Sequence, residues 1–119
     1  MNTGLWILQC VLAAFFLFHA YIYLVVPPFA AEMVNGMGIS PSFRRFIGGA
    51  EALAAVGLVL PGLTGILPWL TPLAAAGLMI VMVSAVVFHV THRESPIFPA
   101  AILILVTFVM YMRWQVMPL

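Results

Sequence analysis

The chain has no lysine and no aspartate. Its charged side chains make up 6% of 119 residues: four arginines (Arg44, Arg45, Arg93, Arg113) and three glutamates (Glu32, Glu51, Glu94). Soluble domains carry about 25% charged residues, and this sequence is too poor in charge to cover a water-facing surface. The net charge of +1 excludes the basic patch that nucleic-acid binding needs. The single cysteine, Cys10, excludes an intramolecular disulfide, a multi-cysteine metal site and a CxxC redox pair. There is no GxSxG elbow, no phosphate-binding P-loop and no pair of acids placed for glycoside chemistry. What is there in abundance is apolar: 66% hydrophobic residues and a mean hydropathy of +1.23. These values define an integral membrane protein with no room for a soluble domain.

Four apolar runs of about 20 residues each reach the length that crosses a bilayer core. The expected fold class is an all-α membrane protein, a four-transmembrane-helix bundle in one domain, with spans at about 5–26, 41–60, 72–92 and 96–117. Pro27-Pro28 stops the first run. Ser40-Pro41, Thr71-Pro72 and Ser95-Pro96 open the other three, each a capping hydroxyl followed by proline at the first helical position. Pro61-Gly62 is expected to end the second. The first run lacks a basic segment before it and a small-x-small site after it, and is read as a retained span rather than a cleaved signal. Between the first two spans, Phe29, Met33, Met37 and Ile39 alternate with Glu32, Asn35 and glycines, which suits a short amphipathic piece in the interface. Trp69 suits an interfacial anchor. The second and third spans are rich in small residues, Gly48, Gly49, Gly57, Gly77 and Ala85 among them, and are expected to pack closely as an antiparallel pair. The phenylalanines of the first and fourth are expected outside that pair.

An even number of spans puts both termini on one side. Arg44, Arg45 and Arg93 border the other side, and Arg113 alone lies with the termini. The positive-inside rule then places both termini outside, with a bacterial cytoplasmic (inner) membrane as the setting.

Glu51 is the one carboxylate inside a span. From Phe46 to Leu60 its companions are all apolar or glycine. A charge at that depth costs about 3 kcal/mol or more, so it normally faces a protein interior and a partner. At about 1.5 Å per helical residue, His19, Glu51 and His89 fall in the same half of the bilayer, with Arg44 and Arg45 near its edge. Tyr21, Tyr23 and Ser84 are close enough to join. These residues, with Arg93, are candidates for a polar cavity opening toward the first and third loops. Two readings of Glu51 stand: a structural partner for an arginine or histidine, or a ligand or proton site. His19 reads as an interior hydrogen-bonded histidine ahead of a metal ligand. His89 and His92 flank a helix end, where a cation complements the dipole. His19 and His89 could in principle ligate a haem axially, but no accompanying motif supports it and no spacing fits a zinc site; neither metal nor cofactor is expected, with a quinone as the one small cofactor kept open. Gln9 is placed to bond across helices to a backbone carbonyl. Arg113, between Tyr111 and Trp114, reads as an interfacial, snorkelling side chain.

The segment Arg45-Phe46-Ile47-Gly48-Gly49-Ala50-Glu51, followed by Ala55-Val56-Gly57-Leu58-Val59-Leu60-Pro61, resembles the central block of DoxX-like membrane proteins. The stretch from Glu32 to Ile39, the opening Trp6-x-x-Gln9-x-x-Leu12-Ala13-x-x-Phe16, and the run from Pro72 to Gly77-Leu78 and on to His89-x-x-x-Arg93-Glu94 extend the likeness over nearly the whole chain. The resemblance implies a four-helix transmembrane bundle in which Arg45, Glu51, His89, Arg93 and Glu94 are the recurrent polar positions. The family takes its name from a subunit linked to thiosulfate:quinone oxidoreduction, and other members look like accessory or assembly factors. Where the family often carries small residues and lysine at the end of its first helix, this chain has His19 and Leu24. The leading expectation is a non-catalytic accessory or assembly subunit, partnered by lipid and by a larger membrane complex or its own copies. The alternatives are a quinone- or redox-associated subunit and a proton-coupled small-molecule transporter.

Overall fold

A computed structural model describes residues 2–36, 38–67 and 69–116. Five α-helices account for most of it: α1 (Asn2–Val25), α2 (Pro28–Gly36), α3 (Pro41–Thr64), α4 (Leu70–Thr91) and α5 (Ile97–Tyr111), the last continued by a π-helical turn at Met112–Val116. Four segments, Asn2–Val25, Pro41–Thr64, Leu70–Thr91 and Ile97–Val116, are long and apolar enough to cross a membrane. The molecule measures 41 × 26 × 20 Å, its long axis close to the thickness of a bilayer with its headgroups, about 40–45 Å. Its flanks are apolar: Leu53, Ile80 and Ile104 are each about 70% exposed or more. A surface of this kind is matched by acyl chains, and the protein is a four-helix transmembrane bundle.

The expected boundaries shift in instructive places. Ser40 caps α3 as its sequence suggests, its hydroxyl accepting from the Phe43 amide at 3.2 Å, with Pro41 in the first turn. The far end of α3 does not stop at Leu60. It continues through Pro61 to Thr64 and closes on Gly65, whose φ of +72° is reached without a Cβ penalty and whose amide bonds the Pro61 carbonyl at 2.9 Å. Proline inside a helix leaves the carbonyl four residues back without its N–H. Here that carbonyl belongs to Gly57, and the Thr71 hydroxyl donates to it at 3.0 Å. Thr71 is therefore not the cap of the next helix, which begins at Leu70; it is fully buried and repairs the break in α3. Likewise α5 starts at Ile97, one residue later than expected, and α1 and α4 end at Val25 and Thr91. The expected fourth-span end, Met117, lies outside the described residues.

The transmembrane helices run up and down in order around a ring: α1 against α3, α3 against α4, α4 against α5, and α5 back against α1. The broadest interface is α1 with α3, not α3 with α4 as the small residues suggested. A Cβ at Gly48 would stand 2.9 Å from Leu24 Cγ and 3.2 Å from Tyr23 Cβ, so this glycine admits α1. Gly57 does serve α4, with Ala74 Cβ 2.9 Å from where its own Cβ would be. Gly49 and Gly77 face open space. The core holds Leu12, Phe16, Ala55, Leu58, Leu78 and Val106, all but sealed from solvent. Phe16 of the first span is thus central, while Phe18 and Phe108 face outward. The expected amphipathic piece forms as α2, whose Ala30 and Val34 pack on Ile22 and Tyr23 while Phe29 and Met33 point away.

Candidate functional site

The two ends of the bundle differ in chemistry. At the end of α3 marked by Pro61, polar groups are spent on one another. Gln9 on α1, wholly buried, donates from Nε2 to the Leu58 carbonyl on α3 at 2.6 Å, the cross-helix bond anticipated from its position. Its Oε1 accepts from Arg113 Nε at 2.6 Å, and Arg113 Nη1 donates to Asn2 Oδ1 at 2.7 Å. The Arg113 guanidinium lies 5.7 Å from the centre of the Trp6 ring. Arg113 is only 2% exposed, so it is not the snorkelling residue its neighbours Tyr111 and Trp114 suggested. The π-helical turn brings it inward to close the seam between α5 and α1.

The opposite half opens into a cavity of about 480 Å³ walled by all four transmembrane helices. Ten residues into α3, Glu51 is part of its wall and is itself fully buried. His19 on α1 meets it, Nδ1 lying 2.7 Å from Glu51 Oε2. One proton is shared along this contact between the imidazole nitrogen and the carboxyl oxygen. Glu51 Oε1 has no hydrogen-bond partner among the described residues. His19 is held in a file of rings along α1: Phe15 at a centroid distance of 6.2 Å on one side and Tyr23 at 4.4 Å on the other. The spacing Phe15, His19, Tyr23 is i, i+4, i+8, which places the three on one helix face.

Of the other candidates, His89 and Ser84 of α4 are on the cavity wall. His89 Nδ1 is 3.5 Å from Glu94 Oε2 without a hydrogen bond between them, and that nitrogen has no hydrogen-bond partner among the described residues. Ser84 is turned to its own helix, its hydroxyl donating to the Ile80 carbonyl at 3.1 Å. Tyr21 is outside the lining, 46% exposed on the outer face of α1. The three arginines proposed for this half are also outside the lining. Arg44 Nε donates to the Tyr23 carbonyl at 2.8 Å, in the last turn of α1, where a cation meets the negative end of the helix dipole. That bond accounts for a cation in the first turn of α3: it serves the neighbouring antiparallel helix. Arg45 is exposed. Arg93 is exposed too and takes a left-handed φ of +58° in the tight turn after α4, where the Glu94 amide returns to the His89 carbonyl at 2.7 Å. His92 lies against the end of α4, its Nδ1 2.9 Å from the Phe88 carbonyl. Among the described residues no three His, Cys, Asp or Glu side chains converge as a metal site would require.

The rest of the wall is aromatic and aliphatic, and it was not singled out from the sequence. Phe43 and Phe46 come from α3, Phe88 from α4, and Phe98 with Pro99 and Ile102 from α5. Phe98 could not be assigned in advance, because nothing in the sequence says that α5 closes the ring against α1, where its ring sits 5.5 Å from Phe15. Phe43, Ile47 and Glu51 carried a signal, since their i, i+4, i+8 spacing marks one face of α3.

A four-helix transmembrane bundle, tied by polar bonds at one end and hollow at the other, with a single buried carboxylate at the wall of the hollow, is a small integral membrane protein. The sequence profile of the DoxX-like family matches residues 7–110, and the chain belongs to that family. No curated protein and no solved structure matches it.

Proposed function

We propose that the chain is a non-catalytic membrane subunit, accessory to a larger complex or to an assembly of its own copies, that holds a small and largely apolar molecule in the cavity beside Glu51. One observation carries this reading: a fully buried carboxylate keeps an oxygen without a partner at the wall of a cavity of about 480 Å³. That size is within the range of small-molecule sites, about 300–1,000 Å³. An unmatched polar atom in such a place costs stability unless something occupies the space. A quinone is the second reading, supported by the hydrogen-bonded His19–Glu51 pair standing next to stacked rings in an apolar chamber. The same pair is what a proton-coupled transporter needs, although no second acid lines the cavity.

The test is extraction under mild conditions into lipid nanodiscs, followed by mass spectrometry and an optical spectrum of the organic extract. Ser84→Phe, at an exposed position on the cavity wall and on a different helix from Glu51, adds bulk to the space. A molecule present in stoichiometric amount in the wild type and lost in Ser84→Phe is the expected result. Identical extracts from the two proteins would sink the reading, and a quinone chromophore in the wild-type extract selects the second one.

This reading takes a bacterial cytoplasmic membrane as its setting, with both termini outside and the cavity end toward the cytoplasm. The arginine bias supports that orientation: Arg44, Arg45 and Arg93 border the cavity end, and Arg113 is drawn into the interior at the other. A C-terminal fusion to a reporter active only in the cytoplasm is expected to be silent. A strong signal from it reverses the orientation.

A further inference from the structure

We infer that the ligand is a lipophilic amine, bound as its ammonium ion with N–H directed to Glu51 Oε1 and its apolar body among the aromatic rings. The inference rests on the reading of the cavity as a ligand site and goes on to name the chemical class. Three features of the wall converge on it.

The first is the free acceptor. Glu51 Oε2 is occupied by His19 at 2.7 Å, whereas Oε1 is buried and has no partner among the described residues. A carboxylate oxygen offers only lone pairs, so its complement is a donor, and a charged donor forms the stronger bond. The second is the lack of a competing arginine. None of the four arginines lines the cavity: Arg44 is bonded to the Tyr23 carbonyl, Arg113 is at the other end of the bundle, and Arg45 and Arg93 are exposed. The titratable groups that share the chamber with Glu51 are His19, Tyr23 and His89. The third is the set of rings. Phe15, Tyr23, Phe43, Phe46, Phe88 and Phe98 all line the cavity. Aromatic faces are negative and attract a desolvated cation, ammonium ions most of all. A neutral apolar guest would satisfy the rings and leave Oε1 without a donor. An anion would meet both the carboxylate and the ring faces unfavourably.

The test compares two probes of matching shape in lipid nanodiscs at equal mole fraction in the lipid. One is 4-phenylbutyl-dimethylamine, protonated at neutral pH. The other is the tertiary alcohol 2-methyl-6-phenylhexan-2-ol, which also has one donor but no charge. Binding is followed by native mass spectrometry and by titrated thermal shift. The amine is expected to bind at least about tenfold more tightly, the ratio a charged hydrogen-bond partner confers over a neutral one. Glu51→Gln should cut the ratio to the smaller remainder that the rings contribute. Phe43→Leu, at a half-exposed position that tolerates change, should narrow the ratio severalfold in a protein that folds even where Glu51→Gln does not. Parity of amine and alcohol in the wild type overturns the amine assignment and leaves a ligand site standing. So does a preference that Glu51→Gln leaves undiminished. If neither probe binds and the Ser84→Phe extract matches the wild type, the ligand-site reading falls with it.

Discussion

Gln9→Leu is expected to lower the stability of the bundle by about 3 kcal/mol, the lower end of what breaking a buried charged contact costs. The substitution keeps volume and removes two bonds at once. The Leu58 carbonyl loses its donor at 2.6 Å and the Arg113 Nε loses its acceptor at 2.6 Å. The two losses are unequal. A neutral bond between transmembrane helices is worth about 0.6 kcal/mol on average, because the unfolded chain in the membrane also finds partners. The larger share comes from the guanidinium, which is 2% exposed and cannot turn to water without opening the α1–α5 seam. Gln9→Glu separates them: it preserves an acceptor for Arg113 and gives up the donor to Leu58, so it should cost far less than Gln9→Leu. Unfolding curves in mixed detergent micelles provide the comparison. Equal losses in the two variants, or none in Gln9→Leu, show that Arg113 is held by its other contacts alone.

Much of this architecture was legible from composition and punctuation. Four apolar runs in a chain with 6% charge leave few alternatives to a four-span bundle, and Ser40-Pro41 located the start of α3 to the residue. Glu51 announced itself, since an acid surrounded by apolar residues and glycine has to face inward, and His19 fell at the matching depth. What remained hidden depends on which helices are neighbours. The closeness of Gln9 and Arg113, 104 residues apart, follows from closure of the ring between α1 and α5. Local context around Arg113, with an aromatic residue on each side, argued for the interface and was overridden by a buried acceptor on another helix. The small-residue pattern was readable as close packing but not as close packing with what: Gly48 admits α1 and Gly57 admits α4 from the same helix. The arginines at the cavity end lie within reach of Glu51 by sequence spacing alone. Arg44 is diverted because a helix carbonyl end lies nearer, a competitor that depth arithmetic does not register.

Pro61→Ala and Thr71→Val are expected to compensate for each other, and the cycle they form tests why α3 continues past its proline. A proline in a helix interior costs about 3 kcal/mol relative to alanine, through the missing N–H and the clash of its ring with the preceding turn. In a membrane such a break persists only where a neighbour supplies the donor. The Thr71 hydroxyl is that neighbour, 3.0 Å from the Gly57 carbonyl and wholly buried. Valine keeps the shape and removes the hydroxyl, so Thr71→Val in the natural background leaves a buried carbonyl unmatched and should destabilise by about 1–2 kcal/mol. Pro61→Ala restores an amide four residues from Gly57 and should stabilise the bundle by up to about 3 kcal/mol, less whatever packing the buried ring contributed. In the Pro61→Ala background the hydroxyl has no vacancy to fill, and Thr71→Val should then be nearly neutral. The coupling between the two sites, read from melting of all four proteins in the same detergent, is therefore expected to be at least about 1 kcal/mol in magnitude. Simple additivity of the two substitutions argues that the Gly57 carbonyl is satisfied some other way and that the contact with Thr71 is incidental to the length of α3.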